Sequence, residues 1–487
     1  MSCDDPGTAQ VERMPRKPKF DRSPLCIRCK SEVRGNIVIR HSVYCRPCFV
    51  TQLGHKFRKT LEPTINPPET RPPPGPRRVP LRPVLKAEGD LLIGYSGGQG
   101  SALLLDLVHE SYFTPAQLDP ARGTRQVSKR EKVWPTARVA FVDLSAAYPG
   151  TLDRTEDARR LVEQYPHFEF VPLRIEQAFD LEWASSVGFS VHNTLDVDLR
   201  SEELPTISVP SGTTPSVSLL AYLSAQPSTS ARATALRTLT RLLLQHTAHQ
   251  TSSSHLLLGT SLTSHAINLL DAVANGAGFT IRQIAEETWR GVRIVRPLRE
   301  IADKEIAAGV WWRRVGVMPR TMGVPSESGI TRLTKDFITG LDQTYPSTVH
   351  TIAKTCDKLA PKGGMTRSRC PLCERPVQSG VREWKAEIAI RSFELEPLSA
   401  ADALRDSEPG TDPVPSATDT TFDPNPIPSA TNTLTPSLCY ACHTQLTSRG
   451  RTTGATHPIT GVVTLPVWVG PNLLRDRRPD VSAYLLD

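Results

Sequence analysis

Asp90-Leu91-Leu92-Ile93-Gly94-Tyr95-Ser96-Gly97-Gly98-Gln99-Gly100-Ser101 is the stretch on which the fold turns. A short apolar run stops at a cluster of glycines and serines, and Ser101 to Glu110 then reads as a helix start. The run is too continuously apolar for a half-exposed strand and predicts one buried on both faces. The glycines let the backbone curl without Cβ clashes, so that the N–H groups of the turn and of the following helix converge on one point, a geometry suited to an anion. Ser96 and Ser101 add hydroxyls to the same turn. The spacing is neither that of the Walker loop, which needs Gly-Lys-Ser/Thr after four spacers, nor G-x-G-x-x-G. Taken alone, the segment fits a glycine turn without a phosphate equally well.

Outward from this turn, apolar runs and amphipathic segments alternate. Arg138–Asp143 reads as a second strand, Asp153–Gln164 as a charged helix and Phe168–Pro172 as a third strand. Residues 231–249 carry Leu236, Leu239, Leu243 and Leu244 at helical spacing. His255–Gly259 is a fourth strand, followed by a helix through Ala266, Leu269, Leu270 and Val273, and Val292–Val295 is a fifth. Such alternation predicts an α/β fold with a parallel sheet covered on both faces. Residues 183–215 and 224–230 read as inserted loops. The division expected is a basic N-terminal cysteine module over 1–60, a Pro/Arg-rich linker over 61–87, an α/β core over 88–355 and a C-terminal cysteine module over 356–487. Within the last, residues 394–437 hold eight acidic residues and one arginine among Ser, Thr and Pro, the composition of a disordered insert.

The 487 residues include 43 prolines, and 38% are hydrophobic, below the roughly 45–50% of a globular chain, which agrees with a partly unfolded polypeptide. The net charge is +8. Residues 1–90 hold 18 Lys/Arg against 9 Asp/Glu, so the whole excess lies at that end. A localised basic region suits a polyanion, because neutralised phosphates release counterions; a solvated tail fits the charge equally. No apolar run approaches the roughly 20 residues that cross a bilayer, so no membrane partner is expected. The opening Met1-Ser2-Cys3-Asp4-Asp5 is polar, unlike a secretion signal. In the reducing interior this implies, paired cysteines read as metal ligands rather than disulfides.

Cys26-x2-Cys29 and Cys45-x2-Cys48 are separated by fifteen residues. Two such knuckles can place four thiolates around one tetrahedral zinc ion, with a hairpin between them. Cys370-x2-Cys373 and Cys439-x2-Cys442 are 65 residues apart. They form a second zinc site if the acidic stretch is an insertion between knuckles, since loop closure grows only slowly more costly with length. A redox pair or ligation across domains remains open there, and His443 reads as a bystander.

The strand-Ser96-Gly97-Gly98-x-x-Ser101-helix segment resembles the PP-loop of the ATP pyrophosphatase family, an adenine nucleotide alpha hydrolase-like fold. Arg296-Pro297-Leu298 with Lys304-Glu305-Ile306, the strand ending at Gly259, and the flanking knuckles resemble its tRNA-thiolating branch. The resemblance implies a PP-loop core flanked by zinc modules, with Ser96, Gly97, Gly98, Ser101 and Asp143, the last at the end of the second strand, at the nucleotide site. Asp143 also fits a helix cap or turn start.

The chain departs from a working member in three places. Gln99-Gly100 replaces the acid before the last serine; Thr260-Ser261-Leu262-Thr263-Ser264-His265 has no carboxylate; and no cysteine occurs between Cys48 and Cys356. Sulfur relay needs a thiolate or cluster, which hydroxyls do not replace. Within the family this pattern is similar to the cytoplasmic tRNA 2-thiolation protein 2 group. That resemblance implies a cytoplasmic, noncatalytic subunit paired with a catalytic paralogue, with no catalytic residue of its own and ATP binding in question. It implies thiolation of the wobble uridine, already carrying a methoxycarbonylmethyl group, in tRNAs for Lys, Glu and Gln. The sulfur would come from a thiocarboxylated ubiquitin-related modifier, which places the chain in the urmylation pathway. Arg58, Lys59, Arg77 and Arg78 are the expected tRNA contacts, and the Trp311-Trp312-Arg313-Arg314 cluster is either a stacking surface or a helix packed on its tryptophans. Two rivals are an active ATP-dependent tRNA sulfurtransferase and a zinc-ribbon adaptor unrelated to tRNA.

Overall fold

The chain enters through a hairpin, β1 (Ile37–Ile39) and β2 (Ser42–Tyr44), and the 20-residue helix α1 (Arg46–Ile65). The computed structural model describes residues 25–30, 37–39, 42–66, 85–114, 132–210, 212–285, 287–319, 328–356, 358–359, 368–378, 380–388, 433–447 and 461–476. Pro47 starts α1, where a missing N–H is harmless. Phe49, Leu53, Phe57, Leu61 and Ile65 recur every fourth residue as one buried stripe. The stripe packs on the central sheet, so α1 is part of the core and runs on past the boundary expected at residue 60.

Then follow β3 (Asp90–Tyr95), α2 (Gln99–Val108), β4 (Ala137–Asp143), α3 (Thr155–Val162), β5 (Phe168–Arg174) and α4 (Leu181–Ser186). Next come β6 (Asn193–Asp198), β7 (Thr206–Pro210), α5 (Pro215–Ser224), α6 (Thr229–Gln250), β8 (Ser253–Leu258) and α7 (Leu262–Ala274). The core closes with α8 (Ile281–Ala285), β9 (Glu287–Trp289), β10 (Val292–Val295), α9 (Asp303–Arg313), α10 (Gly329–Thr344) and α11 (Pro346–Cys356). The remaining described elements are α12 (Val381–Ile388), α13 (Tyr440–Thr447), β11 (Val462–Thr464) and α14 (Val469–Asp476).

The expected α/β class forms, with a mostly parallel central sheet. A six-stranded sheet runs β5-β4-β3-β8-β10-β9, parallel throughout except for β9. Leu91, Ile93 and Tyr95 face the side covered by α1, α2 and α9, whereas Leu92 faces the side covered by α6. Apolar residues on both faces are what made β3 read as a continuous run. Successive strands leave β3 first on one side, through β4, and later on the other, through β8. The glycine turn after β3 therefore sits at the switch point, where open α/β sheets form a crevice.

Two expectations are corrected. Residues 183–215, read as loop, contain the end of α4 and the β6–β7 hairpin; β11 joins it in a three-stranded sheet of order β11-β6-β7. Its strands are short and half-exposed, and β11 lies far along the chain, so no local pattern announced them. The acidic insert was expected to reach 437, but Thr433 bridges Pro205 and Leu434 is fully buried. The rest of that segment, to 432, lies outside the described residues. Leu434, Leu438, Leu446 and Trp468 share one apolar cluster with Val197, Leu219, Tyr222, Leu239 and Leu243. The C-terminal cysteine region is thereby packed onto α5 and α6.

A buried histidine ties the end of α1 to the sheet. His255 Nε2 donates to the Thr64 carbonyl at 2.9 Å, and Trp134 Nε1 donates to His255 Nδ1 at 3.4 Å. Burial lowers the His255 pKa from its usual value. The unfolded chain then takes up a proton that the folded chain refuses, so this contribution is complete above about pH 6.5 and is lost as pH falls below it. The melting temperature is expected to fall between pH 7 and pH 5, and less steeply in His255→Gln. Parallel pH profiles for the two proteins would refute the assignment.

Candidate functional site

A cleft of about 620 Å³ opens at the carboxyl ends of β3, β4 and β8. It brings together Ser96, Ser101 and Asp143, with Gly94, Gly100, Gly259, Ser264, Asn268, Arg154 and Met318. Gly97 turns the chain with φ +75°. The serine hydroxyls face each other within the turn: Ser96 Oγ and Ser101 Oγ are 3.2 Å apart, and Ser101 Oγ donates to the Gly98 carbonyl at 3.0 Å and accepts from the Ser96 N–H at 3.2 Å. Gly98 caps α2 without a side-chain bond, leaving the helix N-terminus to the cleft.

The cleft offers little charge. Among the described lining residues the one carboxylate is Asp143 and the one guanidinium Arg154. Asp143 Oδ2 accepts from both the backbone N–H and the hydroxyl of Ser145, which is the turn-starting role weighed for it above. Arg154 is held by Asp157 at 2.8 Å and by the Pro319 carbonyl at 2.8 Å. Hard cations that accompany nucleotide phosphates need carboxylate oxygens, and this lining has none to spare. Sequence reasoning missed Met318. Its N–H donates to the Gly97 carbonyl at 3.0 Å, and a Cβ on Gly97 would stand 2.2 Å from its sulfur, so Met318 lies directly on the turn. No periodicity in the irregular segment after α9 points to that contact.

Each cysteine quartet converges. Cys26, Cys29, Cys45 and Cys48 place their sulfurs within 4.8 Å of one another, as do Cys370, Cys373, Cys439 and Cys442. The Cys29–Cys45 and Cys373–Cys439 sulfur separations are 3.6 and 3.7 Å. A tetrahedron with metal–sulfur bonds of about 2.3 Å has edges of about 3.8 Å, so both sets fit one metal ion each. His443 is not a ligand: its Nε2 faces the Glu202 carbonyl at 3.4 Å.

The second quartet is fully enclosed, and its knuckle is anchored from three sides. Trp468 Nε1 donates to the Leu372 carbonyl at 3.1 Å, Asn472 Nδ2 to the Pro371 carbonyl at 3.3 Å, and Arg241 to the Cys373 carbonyl. Glu374, at φ +55°, accepts from Trp289 at 2.8 Å, Asn472 at 3.0 Å and Arg290 at 3.2 Å, and lies 3.0 Å from His246 Nε2. Burial would raise its pKa, but the bond to His246 and the charges and bonds around it outweigh that and hold it at about 2. Nearby, Arg296 of the Arg-Pro-Leu segment is buried beside Glu287, Arg375 and Arg241 rather than exposed to the cleft.

Of the expected tRNA contacts, Arg58 and Lys59 are exposed on α1, and Arg77 and Arg78 lie outside the described residues. The tryptophan pair divides: Trp312 packs edge-on against Phe49 with ring centroids 5.1 Å apart, while Trp311 is 79% exposed.

The family model described as "Cytoplasmic tRNA 2-thiolation protein 2" matches residues 329–444. Relatives bearing that name include one from Homo sapiens, 26% identical over 423 residues that span 76% of this chain and 75% of the relative. Another, from Phaeosphaeria nodorum, is 27% identical over 375 residues, covering 74% and 86%. One from Danio rerio is 26% identical over 401 residues, covering 72% and 71%. Among solved structures, a U34-tRNA thiolase from Methanococcus maripaludis with its 4Fe–4S cluster is similar at 14% identity and a TM-score of 0.47, over 76% of this chain and 99% of that one. These matches make the chain similar to the cytoplasmic tRNA 2-thiolation protein 2 family over about three quarters of its length.

Proposed function

We propose that this chain is a noncatalytic subunit of a cytoplasmic tRNA 2-thiolation complex. The observation that carries this reading is the cleft: a glycine turn and a helix N-terminus face it, but among the described lining residues there is no thiol and no carboxylate beyond Asp143, which is engaged by Ser145. Activation of a uridine carbonyl by ATP calls for metal-binding acids, and sulfur delivery calls for a thiolate or cluster. Both would come from a catalytic paralogue paired with this chain. The sulfur source is a thiocarboxylated ubiquitin-related modifier, and the acceptor is the wobble uridine of tRNAs for Lys, Glu and Gln. Zinc occupies the two cysteine quartets as a structural ion; the four-thiolate donor sets and the sulfur separations support that choice. The basic N-terminal end, with Arg58, Lys59, Arg77 and Arg78, contacts the tRNA backbone.

The purified chain, given ATP, Mg²⁺, a sulfur donor and a wobble-uridine tRNA, is expected to release no pyrophosphate above background and to form no 2-thiouridine by mass spectrometry. Cells lacking it are expected to lose wobble 2-thiouridine. Thiolation by the isolated chain, or unchanged thiouridine in its absence, would overturn the proposal.

A further inference from the structure

The helices α1 and α9 run antiparallel, and three contacts fix their register. Phe49 meets Trp312, Leu53 meets Gly309, where a Cβ would stand 2.8 Å from Leu53 Cδ2, and Lys56 pairs with Glu305. This register sets the last turn of α9 beside the first turn of α1, where Cys45 and Cys48 complete the N-terminal quartet. Arg46 fastens the junction by donating to the Trp312 carbonyl at the end of α9, where a cation also opposes the helix dipole.

The end of the α1–α9 pair so built has an unusual surface. Trp311 projects from it at 79% exposure, although a tryptophan buries more apolar area than almost any other side chain when a site is available. Its neighbour Trp312 takes the one packing position, against Phe49. Around this end Arg28, Lys30, Arg46 and Arg314 are all exposed, and among the described residues none of the four has an acidic partner. Arg313, by contrast, is spent on Asp106 and on Glu110 at 2.8 Å. An exposed indole on the last turn of α9, with uncompensated cations on that turn, on the adjoining first turn of α1 and on the cysteine knuckle that joins it, is the arrangement that stacks an unpaired base while cations track the phosphates.

We propose that the knuckle end of the α1–α9 pair is a single-stranded RNA surface, with an unpaired tRNA base stacked on Trp311 and the adjoining phosphates held by Arg28, Lys30, Arg46 and Arg314. The proposal rests on the tRNA-thiolation reading above and adds to it the place and mode of contact. It differs from a purely electrostatic tail in requiring one ring at one position.

The full-length chain is titrated with an unmodified wobble-uridine tRNA transcript and with an oligouridine of about 12 nucleotides, at several salt concentrations. Trp311→Ala is expected to weaken both by at least about 10-fold, the loss of one base–aromatic stack, with an unchanged salt slope and melting temperature. Trp311→Phe should recover most of the affinity. Arg46→Ala and Arg314→Ala should each reduce the slope of log K against log salt by about 0.7 for the oligouridine. If the wild-type chain binds RNA and Trp311→Ala binds it equally well at every salt concentration, the surface is refuted and the function stands. If the wild-type chain binds neither RNA, the tRNA-contacting role itself falls and this surface with it.

Discussion

Cys373→Ser is expected to lose one bound metal ion per chain and to unfold the C-terminal lobe while the central sheet survives. The sulfur of Cys373 lies 3.7 Å from that of Cys439, across a loop whose residues between 389 and 432 lie outside the described structure. The loop ends are also joined by the bond from the Tyr440 N–H to Gln378 Oε1 at 3.2 Å. Leu434, Leu438 and Leu446 gather around the quartet, and Trp468 and Asn472 reach it through the carbonyls of the same knuckle. Binding of a structural zinc ion contributes roughly 10–16 kcal/mol in small modules, as much as the whole stability of about 5–15 kcal/mol of an ordinary domain. A serine hydroxyl does not ionise to replace the thiolate, and the three remaining sulfurs are left crowded and buried. Metal content by mass spectrometry should fall from two ions to one. Hydrogen-exchange protection should vanish over 433–447 and 461–476 and over the β6–β7 hairpin that β11 joins. Leu91–Tyr95 should stay protected, because β3 is bonded on both sides by β4 and β8. A variant with wild-type metal content and melting temperature would show that the quartet is not a metal site.

The sheet was legible for a physical reason that the lobe does not share. Parallel strands covered on both faces must be apolar at nearly every position, so 90–95, 138–143 and 292–295 announce themselves within a few residues. The β6–β7 hairpin covers one face only, and its Leu195 and Val197 alternate with Thr194 and Asp196 over too short a span to stand out from loop. Its third strand is supplied from Val462–Thr464, a pairing written nowhere locally. The first cysteine quartet could be read from spacing, since both knuckles fall within one short module. The second needed the assumption of an insertion, which the converging sulfurs support. Trp311 and Trp312 illustrate a finer limit. Adjacent helical residues point about 100° apart, so one must turn away from whatever the other packs on. Which of them did so was fixed by Phe49, more than 250 residues away.

Restoring the missing acid with Gly100→Asp is expected to break the turn rather than repair it. Gly100 lies in the first turn of α2, where a carboxylate by itself would gain about 0.3–1 kcal/mol from the helix dipole. The space is absent, however. A Cβ on Gly100 would stand 2.2 Å from the Gly259 carbonyl oxygen, and a Cβ on Gly259 would stand 2.5 Å from Gly100 C and Ser101 N. The start of α2 and the end of β8 therefore touch backbone to backbone, and no side-chain rotation relieves the collision. Overpacking of this kind costs about 1–3 kcal/mol and more where the backbone itself must yield, which exceeds the dipole gain. The midpoint of urea denaturation should drop accordingly in Gly100→Asp and again in Gly259→Ala, and neither variant should gain ATP binding by calorimetry. The close approach means that an acid at position 100 and the present seating of α2 on β8 exclude each other. A Gly100→Asp protein as stable as the parent and newly able to bind ATP would show instead that the helix can move aside and that one missing carboxylate was the whole obstacle.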